Sequence, residues 1–191
     1  MPPSLPQGQE LFIEIGFHLD LADTDRLIQS LVSAPMERIA FVPERLQDSV
    51  WHGWADRVYG VPCSYPLEGI QLWRSLLTGE VFDPASLTEL FGELSDGAYG
   101  NVYRCKGIFD ISDGRYFYID YVMGNEEIIY QELPVSLWLS GRPQRFAGIE
   151  IFGSGLKSKA IGETLADCCL TEDAIYFYQN QIKQSLSQLA V

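Results

Sequence analysis

One stretch constrains this chain more than any other: Asn101-Val-Tyr-Arg-Cys-Lys-Gly-Ile-Phe-Asp-Ile111, then Ser112-Asp-Gly-Arg115, then Tyr116-Phe-Tyr-Ile-Asp-Tyr-Val122. Two runs of β-branched and aromatic residues flank Asp113-Gly114, a pair suited to the positive φ that both central positions of a type I′ turn require. A β-hairpin is expected, and the turn type fixes its register. With a two-residue loop, Ile111 opposes Tyr116, Phe109 opposes Tyr118, Lys106 opposes Tyr121 and Cys105 opposes Val122. Directly opposed residues share a face. One face then carries Phe109, Cys105, Tyr116 and Tyr118. The other carries Ile108, Phe117, Ile119, Tyr121 and Met123 beside Arg104, Lys106 and Asp110. Neither set is polar, so both sides of the sheet are expected to be covered, one by the C-terminal helices and the other by the N-terminal lobe, a partner or a second copy. Lys106 and Tyr121 are expected at the edge of that second face, the lysine stem lying along the ring. Arg104, Lys106, Phe117, Tyr121 and Met123 are the candidate partner-binding residues.

The flanking sequence supplies both helices and strands. Leu11–Leu19 alternates as a strand, Asp23-Thr24 caps a helix with Leu27, Ile28 and Leu31, and Arg38–Val42 reads as the returning strand. Val50, Trp51, Trp54, Ala55 and Val58 stand at helical spacing, with both tryptophans expected to face a core. Pro66 opens an expected helix over Ile70, Trp73 and Leu77, closed by Thr78-Gly79. A second starts at Asp83-Pro84 and places Leu87, Leu90, Phe91 and Leu94 on one face. Beyond the hairpin, strands are expected at Ile128–Leu133, Val135–Leu139 and Arg145–Phe152. Then come a helix with Ala160, Ile161, Leu165 and Cys168, and a last helix, capped by Thr171, with the stripe Ile175, Tyr178, Ile182, Leu186 and Leu189. The fold class this predicts is α+β: a mixed, largely antiparallel sheet packed with helices in a two-layer arrangement related to the ferredoxin-like folds. The domain division predicted is an N-terminal α/β lobe, 1–83, and a second α+β lobe, 84–191, packed into one unit.

Charge and length limit what such a fold can bind. A chain of 191 residues with 47% apolar residues buries a real core, and a formal charge of −13 repels nucleic acid and anionic membranes on approach. No apolar run reaches the ~20 residues of a membrane helix, and the first ten residues lack the basic and apolar regions of a secretory signal, so a cytoplasmic location is expected. Cys63, Cys105, Cys168 and Cys169 form no CxxC pair and read as reduced core residues.

Three anchors, in order, carry a family resemblance. They are Arg104-Cys-Lys106-Gly107 after a helix and a glycine turn, Ile149-Glu-Ile-Phe-Gly-x-x-Leu156, and Ala166-Asp-Cys168-x-Leu170-Thr171. From about Leu87 to Thr171 the chain resembles the C-terminal domain of CobW-type metal-chaperone GTPases. In that family a GTPase domain precedes this module and holds a Cys-x-Cys-Cys metal motif. Here there is neither a Gly-x-x-x-x-Gly-Lys-Ser/Thr sequence nor a Cys-x-Cys-Cys, so GTP hydrolysis and the family's metal site have no residues to sit on. What the resemblance implies is a relative of the module that contacts partners.

The remaining motifs read as structure. Gly153-Ser-Gly155-Leu-Lys157-Ser158 follows a strand and opens a helix, but lacks the arc of backbone N–H groups that cradles a phosphate. The cysteines with His18 and His52 have no metal-ligand spacing, and no nucleophile constellation is present. The sequence therefore predicts no catalytic residues, no metal and no cofactor. The function expected is a non-enzymatic binding or regulatory role, with a protein partner or self-association in metal homeostasis by resemblance. The alternative is a small-molecule-binding protein or enzyme with an aromatic pocket between the two lobes.

Overall fold

The computed structural model describes residues 25, 26, 28, 29, 36–46, 48–63, 69–125 and 127–189. The strand expected over Leu11–Leu19 lies outside the described residues. Of the helix expected after Asp23-Thr24, Asp25, Arg26, Ile28 and Gln29 are described, and all four are helical. The chain divides into two units, Met1–Ser64 and Tyr65–Val191.

In the first unit β1 (Ile39–Pro43) and β2 (Arg57–Val61) pair in parallel, Ile39 opposite Arg57, and α1 (Val50–Trp54) lies in the crossover that a parallel pair requires. The helix expected to run through Val58 stops at Trp54, because Val58 belongs to β2 opposite Ala40. Trp51 and Trp54 meet edge-on at 5.7 Å but stay half-buried rather than facing a core. Arg38 closes the strand ends, donating backbone and side-chain hydrogen bonds to Asp56 with its guanidinium 5.4 Å from the Trp54 ring. Ala40 and Val42 are buried between exposed Ile39 and Phe41, the alternation of a strand with one covered face.

The second unit is a five-stranded antiparallel sheet in the order β3-β7-β4-β5-β6. Its strands are β3 (Ile70–Leu76), β4 (Asn101–Asp110), β5 (Tyr116–Val122), β6 (Ile129–Glu132) and β7 (Gly148–Ser154). Its helices are α2 (Pro84–Ser95), α3 (Ser158–Asp167) and α4 (Glu172–Leu189). The stretch expected as a helix from Pro66 is the edge strand β3. Ile70, Trp73 and Leu77 fit helical spacing, but Ile70, Leu72, Arg74 and Leu76 alternate equally well with Gln71, Trp73 and Ser75. Pairing with β7 decides the matter: it satisfies the backbone and sets Trp73 opposite Ile151 on the core side. With β7 between β3 and β4, the segment β3-α2-β4 is a split βαβ unit, which makes the two-layer α+β expectation concrete.

α2 forms where the sequence signals it. Asp83 accepts from the Ser86 N–H at 2.8 Å, Pro84 occupies the first turn, and Leu87, Leu90, Phe91 and Leu94 are buried at i, i+3, i+4 and i+7. Removing Leu90 and Phe91 from water contributes about 1.5–3 kcal/mol each. α3 adds Ile161 and Leu165 to the same core. At its centre Phe109 meets Phe82 and Phe91 edge-to-face, at 5.3 and 5.8 Å. Val135–Leu139, expected as a strand, is irregular: Val135 N–H turns back to the Leu133 carbonyl, and the segment pairs with no strand among the described residues.

The hairpin is present with a different turn and register. Asp113 has negative φ and Gly114 alone in the turn has positive φ, 83°, which excludes type I′. Gly114 N–H donates to the Ile111 carbonyl and Ile111 N–H to the Arg115 carbonyl, so Ser112-Asp-Gly114 is a three-residue loop, a type I turn closed by a left-handed glycine. The one extra loop residue slides the pairing by one. Lys106 opposes Asp120, Cys105 opposes Tyr121 and Phe109 opposes Phe117. Phe117, Ile119 and Tyr121 therefore join Cys105 and Phe109 under α2 and α3, while Tyr116, Tyr118, Asp120 and Val122 pass to the face of Arg104, Lys106, Ile108 and Asp110. The expectation that Tyr121 flanks Lys106 on one face is overturned.

Candidate interaction surface

The outward face of the sheet, opposite the helices, carries a row of alternating charge across four strands: Arg74, Glu150, Lys106 and Asp120 occupy successive register positions on β3, β7, β4 and β5. Arg104, one position along β4 on the same face, clamps Asp120 with Nε at 3.2 Å and Nη2 at 3.0 Å. Cross-strand pairs of opposite sign support an antiparallel sheet. Of the five candidate residues, the structure thus brings Arg104 and Lys106 together, both half-buried. Phe117 and Tyr121 lie on the opposite, helix-covered face, Phe117 under the Arg115 guanidinium at 5.0 Å and Tyr121 only 7% exposed. Met123 follows the end of β5, where its N–H donates to the Tyr103 carbonyl.

Near the hairpin tip this face is covered by residues 133–147, and a buried ion pair fastens them down. Asp110 faces outward from β4 but is almost fully buried. Arg145 Nε donates to its Oδ1 at 2.7 Å, and Nη2 reaches the same oxygen. The same guanidinium donates to the carbonyls of Ser136 and Gly114, both at 3.1 Å, and lies 4.3 Å from the Tyr116 ring. The Tyr116 hydroxyl donates to the Phe146 carbonyl. One arginine so ties a loop carbonyl, a turn carbonyl and a strand carboxylate together. Burial pushes the Asp110 carboxyl above its ordinary range against the opposing pull of Arg145, and burial next to Asp110 pushes Tyr116 up as well. Asp110 Oδ2 is buried with no hydrogen-bond partner, the least satisfied polar atom of the cluster.

The other end of the loop is held by α4. Gln179 accepts from the Gly141 N–H at 2.8 Å and donates to the Gly141 carbonyl at 2.9 Å, while Arg142 bridges Glu80, the Gly79 carbonyl and Glu172. Trp138 N–H donates to the Gly114 carbonyl. Apolar side chains nevertheless point outward from this fastened segment: Phe146 is 62% exposed, and Val135 and Leu137 are open. On α4, Tyr176 stands between Glu172 and Gln179 on the helix surface, the two residues that grip the loop, and is 71% exposed. The stripe expected to bury the last helix buries Ile175, whereas Tyr178 and Leu186 are exposed.

Sequence reasoning passed over Asp110, Arg145 and Tyr116 as a cluster. The signal available was an aspartate inside an otherwise apolar strand, with a lone arginine between Pro143 and the next strand.

The phosphate-loop-like segment is occupied by structural tasks. Lys157 N–H donates to the Tyr99 carbonyl and its ammonium to the Ala98 carbonyl at 2.9 Å. Gly153 faces the Asn101 carbonyl so closely that a Cβ would overlap it. Cys168 packs with Ile161 and Leu165, and burial, then nearby carboxylates led by Asp167, pushes its thiol up to about 11. Among the described residues no cluster of three metal-ligating side chains is present, and no helix is long and apolar enough to cross a membrane.

The chain matches no family model, and no curated protein matches it. Solved structures similar to it are the zinc-bound YjiA GTPase of E. coli, of the CobW family, and a zinc-bound triple mutant of that GTPase. Each is 15% identical to this chain with a TM-score of 0.42, and each similarity covers 52% of this chain and 30% of the other. The chain therefore spans less than a third of the proteins it resembles, and the likeness does not single out their C-terminal domain.

Proposed function

We propose that this chain is a non-enzymatic binding or regulatory protein, related to the partner-contacting C-terminal module of CobW-type metal chaperones, that recognises a protein through the 133–147 loop and the first turns of α4. The observation that carries this reading is a set of exposed apolar side chains on a segment fastened by hydrogen bonds. Phe146, Val135, Leu137 and Tyr176 face solvent, while Arg145, Arg142 and Gln179 hold the backbone beneath them. Loops fixed on a scaffold bind at a small entropic cost, and contiguous exposed apolar side chains rimmed by polar groups mark interaction sites. The three motif anchors support the family part of the proposal.

A photoreactive side chain placed at Leu137 or Tyr176 in cells, with Lys159 on the exposed side of α3 as control, tests the reading. Crosslinking of one discrete protein from 137 and 176, absent from 159 and abolished by Phe146→Glu, is expected. Equal labelling from all three positions would overturn it.

A further inference from the structure

Strand β6 is one edge of the sheet. Leu133 N–H donates inward to the Tyr116 carbonyl, so by antiparallel alternation the backbone groups of Gln131 also face β5, while the N–H and C=O of Tyr130 and Glu132 point away from the sheet. The side chains lie open too, Ile129 51% and Tyr130 42% exposed. Tyr130 and Glu132, opposite Ile119 and Phe117, stand on the helix side, with the Tyr130 hydroxyl near Thr88 of α2. Ile129 and Gln131 stand on the other side. Such an edge either accepts a strand or is blunted against one, and the blunting features here are selective. Glu132 on the strand and Glu127 in the turn before β6 place carboxylates along it, and Arg115, shared between Glu132 and Asp113, offsets part of that charge. A second copy would bring the same carboxylates against these, in a chain of formal charge −13. A strand with basic residues at alternate positions meets Glu132 on one side and lays its apolar residues beside Ile129 on the other.

We propose that the β6 edge binds an extended cationic segment of a partner protein by strand addition, basic residues alternating with apolar ones, with the outward backbone groups of Tyr130 and Glu132 completing a sixth strand. This surface is independent of the 133–147 loop.

The probe is a fluorescein-labelled decapeptide of alternating lysine and valine, measured by anisotropy with the full chain. Saturable binding is expected, accompanied by slowed amide exchange at Tyr130 and Glu132. N-methylating the alternate amides that face β6 weakens it roughly tenfold or more, and a glutamate–valine peptide does not bind. Glu132→Pro, which removes an outward N–H without touching the β5 ladder, weakens binding likewise while leaving the unfolding midpoint in place. Undiminished binding of the N-methylated peptide would reduce the interaction to charge attraction and overturn the proposal. Failure of the lysine–valine peptide to saturate, or protection appearing elsewhere, would do the same.

Discussion

The two faces of the five-stranded sheet are made by the same strands yet obey different rules. Under α2 and α3, Cys105, Phe109, Ile119, Tyr121, Ile149 and Ile151 are all closed to solvent. On the outward face the matching positions hold Arg104, Lys106, Asp120 and Glu150, half-buried or at the margin of burial, and the apolar Ile108 and Tyr118 are only partly covered. Side-chain alternation within a strand is fixed, but which residues of β4 share a face with which residues of β5 is set by the turn. A loop one residue longer moves Tyr121 and Phe117 into the core and leaves the charges of β4 to pair with Asp120 rather than with aromatic rings. Polarity that looks absent from both faces in one register segregates cleanly in the other.

The largest expected effect comes from charging the covered face. Tyr121→Glu places a carboxylate in the core beside Cys105 and is expected to prevent folding, whatever the chain binds, since a buried unpaired charge costs several kcal/mol. A folded, soluble variant with a native circular dichroism spectrum would put Tyr121 back on the outward face. Phe109→Ala, losing both ring contacts at the centre of the core, is expected to cost about 3–5 kcal/mol in denaturant unfolding. On the outward face Lys106→Ala is expected to cost about 0.5 kcal/mol or less, and a loss as large as that of Phe109→Ala would erase the distinction between the faces.

Two titrations sharpen the comparison further. Asp110 faces outward yet is buried, and its folded pKa lies above the unfolded value of about 3.9. The folded state therefore holds its proton to higher pH than the unfolded chain. The stability this group contributes is complete below pH ~4 and is lost as pH rises through the raised folded value. Subtracting the stability profile of Asp110→Asn from that of the wild type is expected to leave a curve falling with pH in this window. A rising difference would mean that Arg145 dominates and that the carboxyl is depressed instead. Cys168, with its thiol pushed to about 11 and packed under α2, is expected to react far more slowly with thiol reagents in the native protein than after denaturation.

Much of the fold was legible because local chemistry and packing agree. Asp83-Pro84 starts α2, and its four-residue stripe is the buried one. The misreadings occur where two patterns compete. Ile70–Leu76 satisfies helical and strand spacing together, and only the long-range partner β7 decides between them. Asp113-Gly114 fits a two-residue loop as well as a three-residue one, and the difference is a single φ at Asp113. At the site, Arg104 and Lys106 were visible as a basic pair in a strand. The Asp110–Arg145 cluster was not, because its members lie 35 residues apart and meet only through the path of the 133–147 loop.

The most direct test of the division between the faces is the cross-strand proton contact at Lys106. Ile111 and Arg115 are hydrogen-bonded, as are Tyr103 and Met123, so the intervening pairs alternate and Lys106–Asp120 falls on a non-hydrogen-bonded pair, where the two Hα atoms approach most closely. A strong Hα–Hα nuclear Overhauser effect between Lys106 and Asp120, with others for Ile108–Tyr118 and Arg104–Val122, is the predicted result. Strong Hα–Hα contacts at Cys105–Val122 and Phe109–Tyr118, the non-hydrogen-bonded pairs of the two-residue turn, would restore that turn and contradict the assignment of both faces.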